Sequence, residues 1–259
     1  ILLNLSEVRM FNSLNLSMSL ISTGGFLPTN SLNLIIDTNL QKIFFIFSLF
    51  IGMLNFFLIP NFFKKKTLIN EHREDLNLII LSLIFVLLIY FHKDAGLDLA
   101  ISVFSSLSNS GLSLISSENN LSLYFLLITC IGGSLVSNTS GIKLIRFYIL
   151  TKITAAEIIR LISPNSVVNK NIYTSGRKIS DDNIKVSFLI FISFFLSIFI
   201  LSSILIVDNI DFEKSFKLSI LTITNTTNSE MYGVENMNFA NLLTSSKLSL
   251  IIFMIIGKI

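Results

Sequence analysis

Long apolar runs alternate with short charged segments along most of the chain. A helix that crosses a bilayer needs about 20 apolar residues. The pattern therefore predicts membrane spans in the uncharged or nearly uncharged runs. These runs are Ile43–Phe63, Leu76–Phe91, Asn119–Ile142, Val186–Val207 and a last one that starts at Leu248.

Shorter helix-like pieces lie before or between these predicted spans, and a turn of small polar residues follows each piece. The pieces are Glu7–Leu20, Leu97–Leu107 and Phe212–Ile223. Helices of about 10 to 14 residues beside membrane spans are typical of re-entrant segments. The order of span, short helix, turn and span recurs, which predicts an internal repeat.

The polar turns are the candidate chemistry of this chain. Irregular backbone at membrane depth is tolerated only where it is buried in protein or lines a water-filled cavity. A ring of carbonyl, hydroxyl and amide oxygens can replace the hydration shell of a monovalent cation, and the C-terminal end of a short helix favours positive charge. The turns need no carboxylate, which favours an alkali cation over Ca²⁺ or Mg²⁺.

Composition and charge narrow the class of protein. The chain is 52% hydrophobic and only 14% charged, whereas soluble domains carry about 25% charged residues. Its single cysteine, Cys130, excludes a disulfide framework and is expected to pack as a small apolar residue. Basic residues concentrate in the loops 64–73 and 160–185, which predicts that these loops are cytoplasmic and that the net charge of +3 reflects topology, with no nucleic-acid partner.

The chain carries no sequence signature of an enzyme. It has no Walker loop, no dinucleotide fingerprint and no His/Glu metal spacing. We therefore expect neither catalytic residues nor a cofactor, and potassium as the only metal. Because the chain starts at Ile1 and stops at Ile259 inside an apolar run, we also expect it to be a fragment.

Several motifs, taken in order, resemble the Trk/Ktr/HKT potassium transporter superfamily, and bacterial Trk-type uptake subunits most closely. Ser22–Phe26 resembles the second filter turn of that family and Ser108–Leu112 the third. Gly132–Lys143 is similar to its glycine-rich intramembrane loop, and Arg160–Asn165 to its Arg-Leu-x-x-Pro-Asn segment. Gly257-Lys258 falls where the family has Gly-Arg in the final span.

The resemblance implies an all-α polytopic membrane protein with repeated span–pore helix–span units of a potassium-channel-like pore, incomplete because the first repeat is missing. Residues 1–66 would hold the pore helix, filter turn and second span of repeat 2, and 67–160 repeat 3 with a broken second span. Residues 161–182 would be a cytoplasmic loop and 183–259 a truncated repeat 4. The implied function is potassium uptake, with symport a related expectation, by a multi-pass protein of the bacterial inner membrane. The implied partners are a second copy and a cytosolic nucleotide-binding regulatory subunit.

The resemblance also assigns roles to individual residues. An intramembrane charge would come from Lys258. The selectivity filter would comprise Ser22, Thr23, Gly24, Gly25, Ser108, Asn109, Ser110, Gly111, Thr226, Thr227 and Asn228, and the gating loop Gly132, Gly133, Ser137, Asn138, Gly141 and Lys143.

Departures from the family pattern keep other interpretations open. The turn from Thr226 has no glycine before Gly233, and non-glycine residues stand in the loop, so we predict weaker potassium selectivity than in typical relatives. A degenerate, non-conducting subunit is one alternative, and a broken-helix secondary transporter is another. Gly25 and Gly111 are also compatible with plain helix C-caps, and Lys143 with an interfacial anchor.

Overall fold

The computed structural model describes residues 2–29, 31–58, 73–90, 96–115, 119–163, 180–226, 230–234, 239 and 242–258. All the regular elements in these ranges are helices, which confirms the all-α class. Short 3₁₀ turns lie at Leu32–Leu34 and Glu230–Tyr232. The α-helices are α1 Leu2–Leu5, α2 Met10–Ser22, α3 Asn39–Met53, α4 Arg73–Tyr90, α5 Gly96–Leu107, α6 Asn119–Ile131, α7 Leu144–Ile162, α8 Asp181–Val207, α9 Phe212–Ile223 and α10 Thr244–Lys258.

The short helices α5 and α9 form the centre of the structure. Their bounds agree closely with the predicted pieces Leu97–Leu107 and Phe212–Ile223. Even their serines, such as Ser105 and Ser219, are fully buried. Helix α5 packs against α3, α4 and α6, and α9 packs against α8 and α10. Because α5 and α9 are short and central, their C-terminal turns lie in the interior of the structure.

Helix α8 follows the predicted run Val186–Val207. In the described part of the chain it is the one helix long and apolar enough, by length and composition alone, to cross a membrane. Its N-terminus is capped by Ser180, whose hydroxyl accepts a hydrogen bond from the Asn183 N–H at 3.2 Å. Large apolar side chains on its outer face, including Leu189 and Phe199, are more than half exposed. Such a face is typical of a surface that contacts lipid or protein.

Helix α3 is shorter than the predicted span Ile43–Phe63. It starts at a capping box formed by Thr38 and Gln41 and ends at Met53. The backbone then leaves the helix, and the Asn55 N–H donates to the Asp75 Oδ1 at 3.0 Å. This contact from another helix fixes the break, so the prediction of one continuous helix is wrong. Lys64–Lys66 lie outside the described residues.

The predicted broken span Asn119–Ile142 is broken in the structure. Helix α6 stops at Ile131, and residues 132–143 form an irregular loop. Helix α7 then continues to Ile162, through a segment for which the sequence predicted no separate helix. Helix α10 begins at Thr244, slightly before the predicted start at Leu248.

Candidate functional site

The turns that follow α2, α5 and α9 share one backbone geometry. Thr23, Asn109 and Asn225 each adopt a left-handed conformation, with φ values of 55°, 58° and 55°. The N–H of each donates to a carbonyl three residues earlier, and the next N–H donates to one five residues earlier, as in a Schellman-type cap. The first set is Thr23 to Leu20 (3.2 Å), Asn109 to Ser106 (3.1 Å) and Asn225 to Thr222 (3.1 Å); the second is Gly24 to Ser19 (2.9 Å), Ser110 to Ser105 (3.0 Å) and Thr226 to Leu221 (2.9 Å).

This equivalence sets the register of the three turns. Gly25 and Gly111, two residues after the left-handed residue, again have positive φ values of 66° and 71°. Glycine adopts such values at no steric cost. The same position of the last turn is Thr227, which, like Asn228, lies outside the described residues. The third turn therefore opens at Asn225, one residue before the predicted site set began.

Asn225 was missed, although the sequence carried a signal for it. Ser108-Asn109-Ser110 and Thr224-Asn225-Thr226 share the order hydroxyl, amide, hydroxyl. In the structure, Asn109 Nδ2 donates to the Thr129 carbonyl of α6 at 3.0 Å. Asn225 Nδ2 donates to the Met254 carbonyl of α10 at 2.9 Å. Each amide ties its turn to the helix that follows it in the chain.

The hydroxyl groups of two of the turns form hydrogen bonds with one another. Ser108, Asn109 and Ser110 are buried, and serine hydroxyl groups pair with one another here: Ser110 Oγ lies 3.0 Å from the Oγ atoms of both Ser105 and Ser108. In the last turn, Thr224 Oγ1 and Thr226 Oγ1 are also 3.0 Å apart. Because these hydroxyls already have partners, main-chain carbonyls are the better candidate ligands for an ion.

The loop 132–143 between α6 and α7 is closely fitted to its surroundings. Gly132 and Gly141 have φ values of 70° and 89°. A Cβ on Gly132 would lie 2.3 Å from the Ser140 carbonyl oxygen, and one on Gly133 would lie 2.7 Å from that of Met53. Side chains at these positions would therefore displace backbone.

Hydrogen bonds from other helices hold the first part of the loop. The Ser134 N–H donates to the Met53 carbonyl at 3.0 Å. The Leu135 N–H donates to Glu74 Oε1 at 2.8 Å, which brings an acidic side chain of α4 to the loop. Glu74 was missed by the sequence analysis, because an acidic residue in the first turn of a helix is expected simply to match the helix dipole.

Two ammonium groups hold the second part of the loop. Lys143 Nζ donates to the Ser137 carbonyl at 3.2 Å and to both the carbonyl and the hydroxyl of Thr139. Lys258 Nζ, from the end of α10, donates to the Asn138 carbonyl at 2.9 Å and to Thr23 Oγ1 at 3.2 Å. Lys143 therefore faces loop oxygens, unlike an anchor that extends to the membrane surface.

The loop also contacts two of the three turns. Asn138 Nδ2 donates to the Ile21 carbonyl at 2.9 Å, and Thr23 Oγ1 lies 3.3 Å from the Asn138 carbonyl. Asn225 Nδ2 reaches Ser140 Oγ at 3.4 Å. The structure therefore brings together the predicted loop residues, both lysines and residues of the turns after α2 and α9.

An ion pair and a hydrogen bond from lysine side chains link different helices away from the loop. Lys42 of α3 lies 2.6 Å from Asp98 of α5. Lys217 of α9, which is 5% exposed, lies 2.6 Å from Glu213 and donates to the Ser122 hydroxyl of α6 at 3.3 Å. Buried charges of this kind are stable only when paired. The Lys42–Asp98 ion pair therefore joins α5 to α3, and the Lys217–Ser122 hydrogen bond joins α9 to α6.

The architecture of buried short helices, matched turns and an interrupted helix is similar to that of a solved transporter structure. The structure superimposes on the crystal structure of the potassium transporter TrkH from Vibrio parahaemolyticus with a TM-score of 0.84 and 22% sequence identity, over 98% of this chain and 57% of TrkH. This result confirms the predicted resemblance at the level of the fold.

A sequence relative points the same way. An uncharacterized cation transporter of Methanocaldococcus jannaschii is 28% identical over 209 residues, which is 80% of this chain and 44% of the relative. The chain therefore spans about half the length of the proteins it matches. No protein-family profile matches it. Both relatives are described as transporters, in agreement with the expectation that the chain is not an enzyme.

Proposed function

We propose that this chain forms part of a potassium uptake pathway through a membrane. The turns after α2, α5 and α9 supply oxygens to a selectivity filter, and the loop 132–143 is the gate beneath it. The observation that carries the proposal is the shared backbone geometry of three turns at the ends of three short helices. Similarity to a potassium transporter and to a cation transporter supports it.

Selectivity in this proposal comes from backbone carbonyls. The C-terminal ends of α2, α5 and α9 favour a cation electrostatically. Carbonyl oxygens replace the hydration shell of the ion without a carboxylate. Asn109 and Asn225 fix the turns by their bonds to α6 and α10, so the carbonyls are held in place before the ion arrives.

The gate in this proposal is the loop held by Lys143, Lys258 and Glu74. Hydrogen bonds with a charged donor or acceptor are stronger than those between neutral groups, so these contacts favour the observed position of the loop. Two ammonium groups beneath the filter also repel a passing cation. Conduction requires the loop to leave these partners.

The remaining parts of the proposal follow from the resemblance. Residues 1–66, 67–160 and 183–259 are units of one pore, residues 161–182 are a cytoplasmic loop, and one further unit completes the filter. The protein resides in the bacterial inner membrane as a dimer and binds a cytosolic nucleotide-binding regulatory subunit. Symport, in which potassium uptake is coupled to the movement of another ion, is a further part of the proposal.

Complementation tests the proposal. The gene that encodes this chain is expressed in a bacterial strain that lacks potassium uptake, and growth on low potassium is followed together with rubidium uptake. We expect rescue that Gly111→Asp abolishes, since Gly111 has a positive φ in the filter turn. The control is Gly96→Asp at the other end of α5, where a Cβ meets nothing within 4 Å. Loss of rescue in both variants, or in neither, would contradict a filter at Gly111.

A second candidate is a secondary transporter that holds its substrate at the break between α6 and α7. The interruption at residues 132–143 is the observation that supports this class as well. A carrier would saturate at low turnover and follow the gradient of a coupling ion. A non-conducting subunit, the third alternative, would reach the membrane without supporting rubidium uptake.

A further inference from the structure

A cavity of about 610 Å³ lies between the loop 132–143, the start of α7 and helices α8 and α10. Three cationic side chains line it: Lys143, Arg146 and Lys258. Its α8 wall carries the hydroxyl groups of Ser193 and Ser197. Among the described residues that line the cavity, none is acidic.

The electrostatics of this cavity favour an anion. Arg146 lies in the first turn of α7, where the helix dipole is positive and no acidic residue is present. Within the described ranges its guanidinium makes no hydrogen bond or ion pair. Glu74, the acidic group that interacts with Lys143 and Arg146, already accepts a hydrogen bond from the loop. This carboxylate interacts with two of the three cations and does not line the cavity, so the cavity retains a net positive charge.

We propose that this cavity binds a phosphate group, carried by a membrane lipid or by a soluble phosphate compound. Basic pockets between membrane helices bind lipid phosphate groups. The planar guanidinium of Arg146 matches the geometry of phosphate oxygens and forms two parallel hydrogen bonds to them. The hydroxyl groups of Ser193 and Ser197 on the opposite wall already donate to the carbonyls of Ile190 and Ser193, so the cationic side chains are the main donors to a phosphate.

Phosphate in the cavity acts on the loop, and this part of the inference rests on the proposed function. Lys143 and Lys258 now donate to neutral carbonyls of the loop, those of Ser137, Thr139 and Asn138. A phosphate oxygen is a stronger acceptor than a neutral carbonyl. Bound phosphate therefore competes with the loop for both ammonium groups and promotes opening.

Binding is tested first, without any measurement of flux. Protein in phosphatidylcholine nanodiscs is titrated with phosphatidylglycerol, with retained lipid counted by native mass spectrometry, and separately with inorganic phosphate by calorimetry. Arg146→Gln is compared with Arg160→Gln, a control on the same helix whose exposed guanidinium pairs with Glu157. We expect Arg146→Gln to lower the affinity for whichever probe binds in the cavity about tenfold, the size expected for a lost charged hydrogen bond. Arg160→Gln should leave that affinity unchanged.

Each outcome of the titrations has a defined meaning. Phosphatidylglycerol bound through Arg146 identifies a lipid site, and inorganic phosphate bound through Arg146 identifies a soluble ligand. Arg146→Lys keeps the charge without the planar fork and is expected to bind with intermediate affinity, which separates loss of the ligand group from misfolding. Equal affinity in wild type, Arg146→Gln and Arg160→Gln for both probes would overturn the site.

Rubidium uptake into vesicles then tests the action on the loop. We expect the bound probe to increase uptake in wild type and Arg160→Gln but not in Arg146→Gln. Binding through Arg146 in a protein with no rubidium uptake would keep the site and reject the proposed pore. Equal stimulation of all variants would reject the link between this cavity and the gate.

Discussion

The ammonium nitrogen of Lys258 lies 2.9 Å from the main-chain oxygen of Asn138. The two residues are far apart in the sequence, yet this contact ties the end of α10 to the middle of the loop 132–143. The same nitrogen also reaches Thr23 Oγ1, in the turn after α2. One side chain therefore links the last helix, the loop and a filter turn.

Removing this ammonium group should release the loop. We expect Lys258→Met to raise rubidium uptake several-fold, because it deletes the hydrogen bond to the loop carbonyl of Asn138, the hydrogen bond to Thr23 and a positive charge beneath the filter. Lys258→Arg keeps the charge and is the matched control, with uptake near that of wild type. Uptake that is unchanged or lower in Lys258→Met, with equal protein in the membrane, would contradict a closing role.

Close packing of α10 against α9 depends on Gly257. A Cβ at this position would lie 1.9 Å from the Ile223 carbonyl oxygen, so Gly257→Ala forces the two helices apart. We expect a loss of about 1–3 kcal/mol in the free energy of unfolding, the usual cost of overpacking. Thermal unfolding in detergent measures this loss. Gly96→Ala is the control, because a Cβ at Gly96 meets no atom within 4 Å. Equal melting temperatures for both variants would contradict the packing.

The amide of Asn109 is expected to set the geometry of the filter turn. Asn109→Ala removes its hydrogen bond to Thr129 and places alanine at a positive φ. We expect the free energy of unfolding to fall by about 1–3 kcal/mol. We also expect a lower preference for potassium over sodium when the two ions compete with rubidium for uptake. An exposed amide, Asn15 of α2, offers the control substitution Asn15→Ala, which should change neither quantity. A variant that is destabilised but fully selective would assign Asn109 to packing alone.

The position of Thr227 predicts a gain of selectivity. Gly25 and Gly111 occupy the matching position of the other turns with positive φ, and a β-branched residue is strained there. We expect Thr227→Gly to raise the preference for potassium over sodium. Thr226→Gly, at the position of Gly24 and Ser110, is the neighbouring control and should not raise it. The opposite ranking would show that the turns are not equivalent.

The sequence predicted best those elements whose pattern is local. The apolar face and polar turn of α5 and of α9 defined both helices nearly to the residue, and Gly132 and Gly141 marked the break after α6. The prediction from the sequence failed where contacts with distant residues determine the structure. The end of α3 at Met53 is fixed by Asp75 of another helix.

The candidate site shows the same division. Turn residues were predictable because their small polar types repeat along the chain. Glu74 was not, because its role depends on a hydrogen bond to Leu135 across a large separation in sequence. Arg146 gave no signal either, because nothing in the local sequence distinguishes it from other basic residues beside apolar runs. Only the packing of α7 beside α8 and α10 places it in a cavity.

The central claim is that the turns form a potassium-selective pathway. Its most direct test is rubidium uptake into vesicles that contain the purified protein, with potassium or sodium added outside as the competitor. The account predicts uptake that follows the potassium gradient and that potassium suppresses at lower concentration than sodium. Uptake that sodium and potassium suppress equally would contradict it.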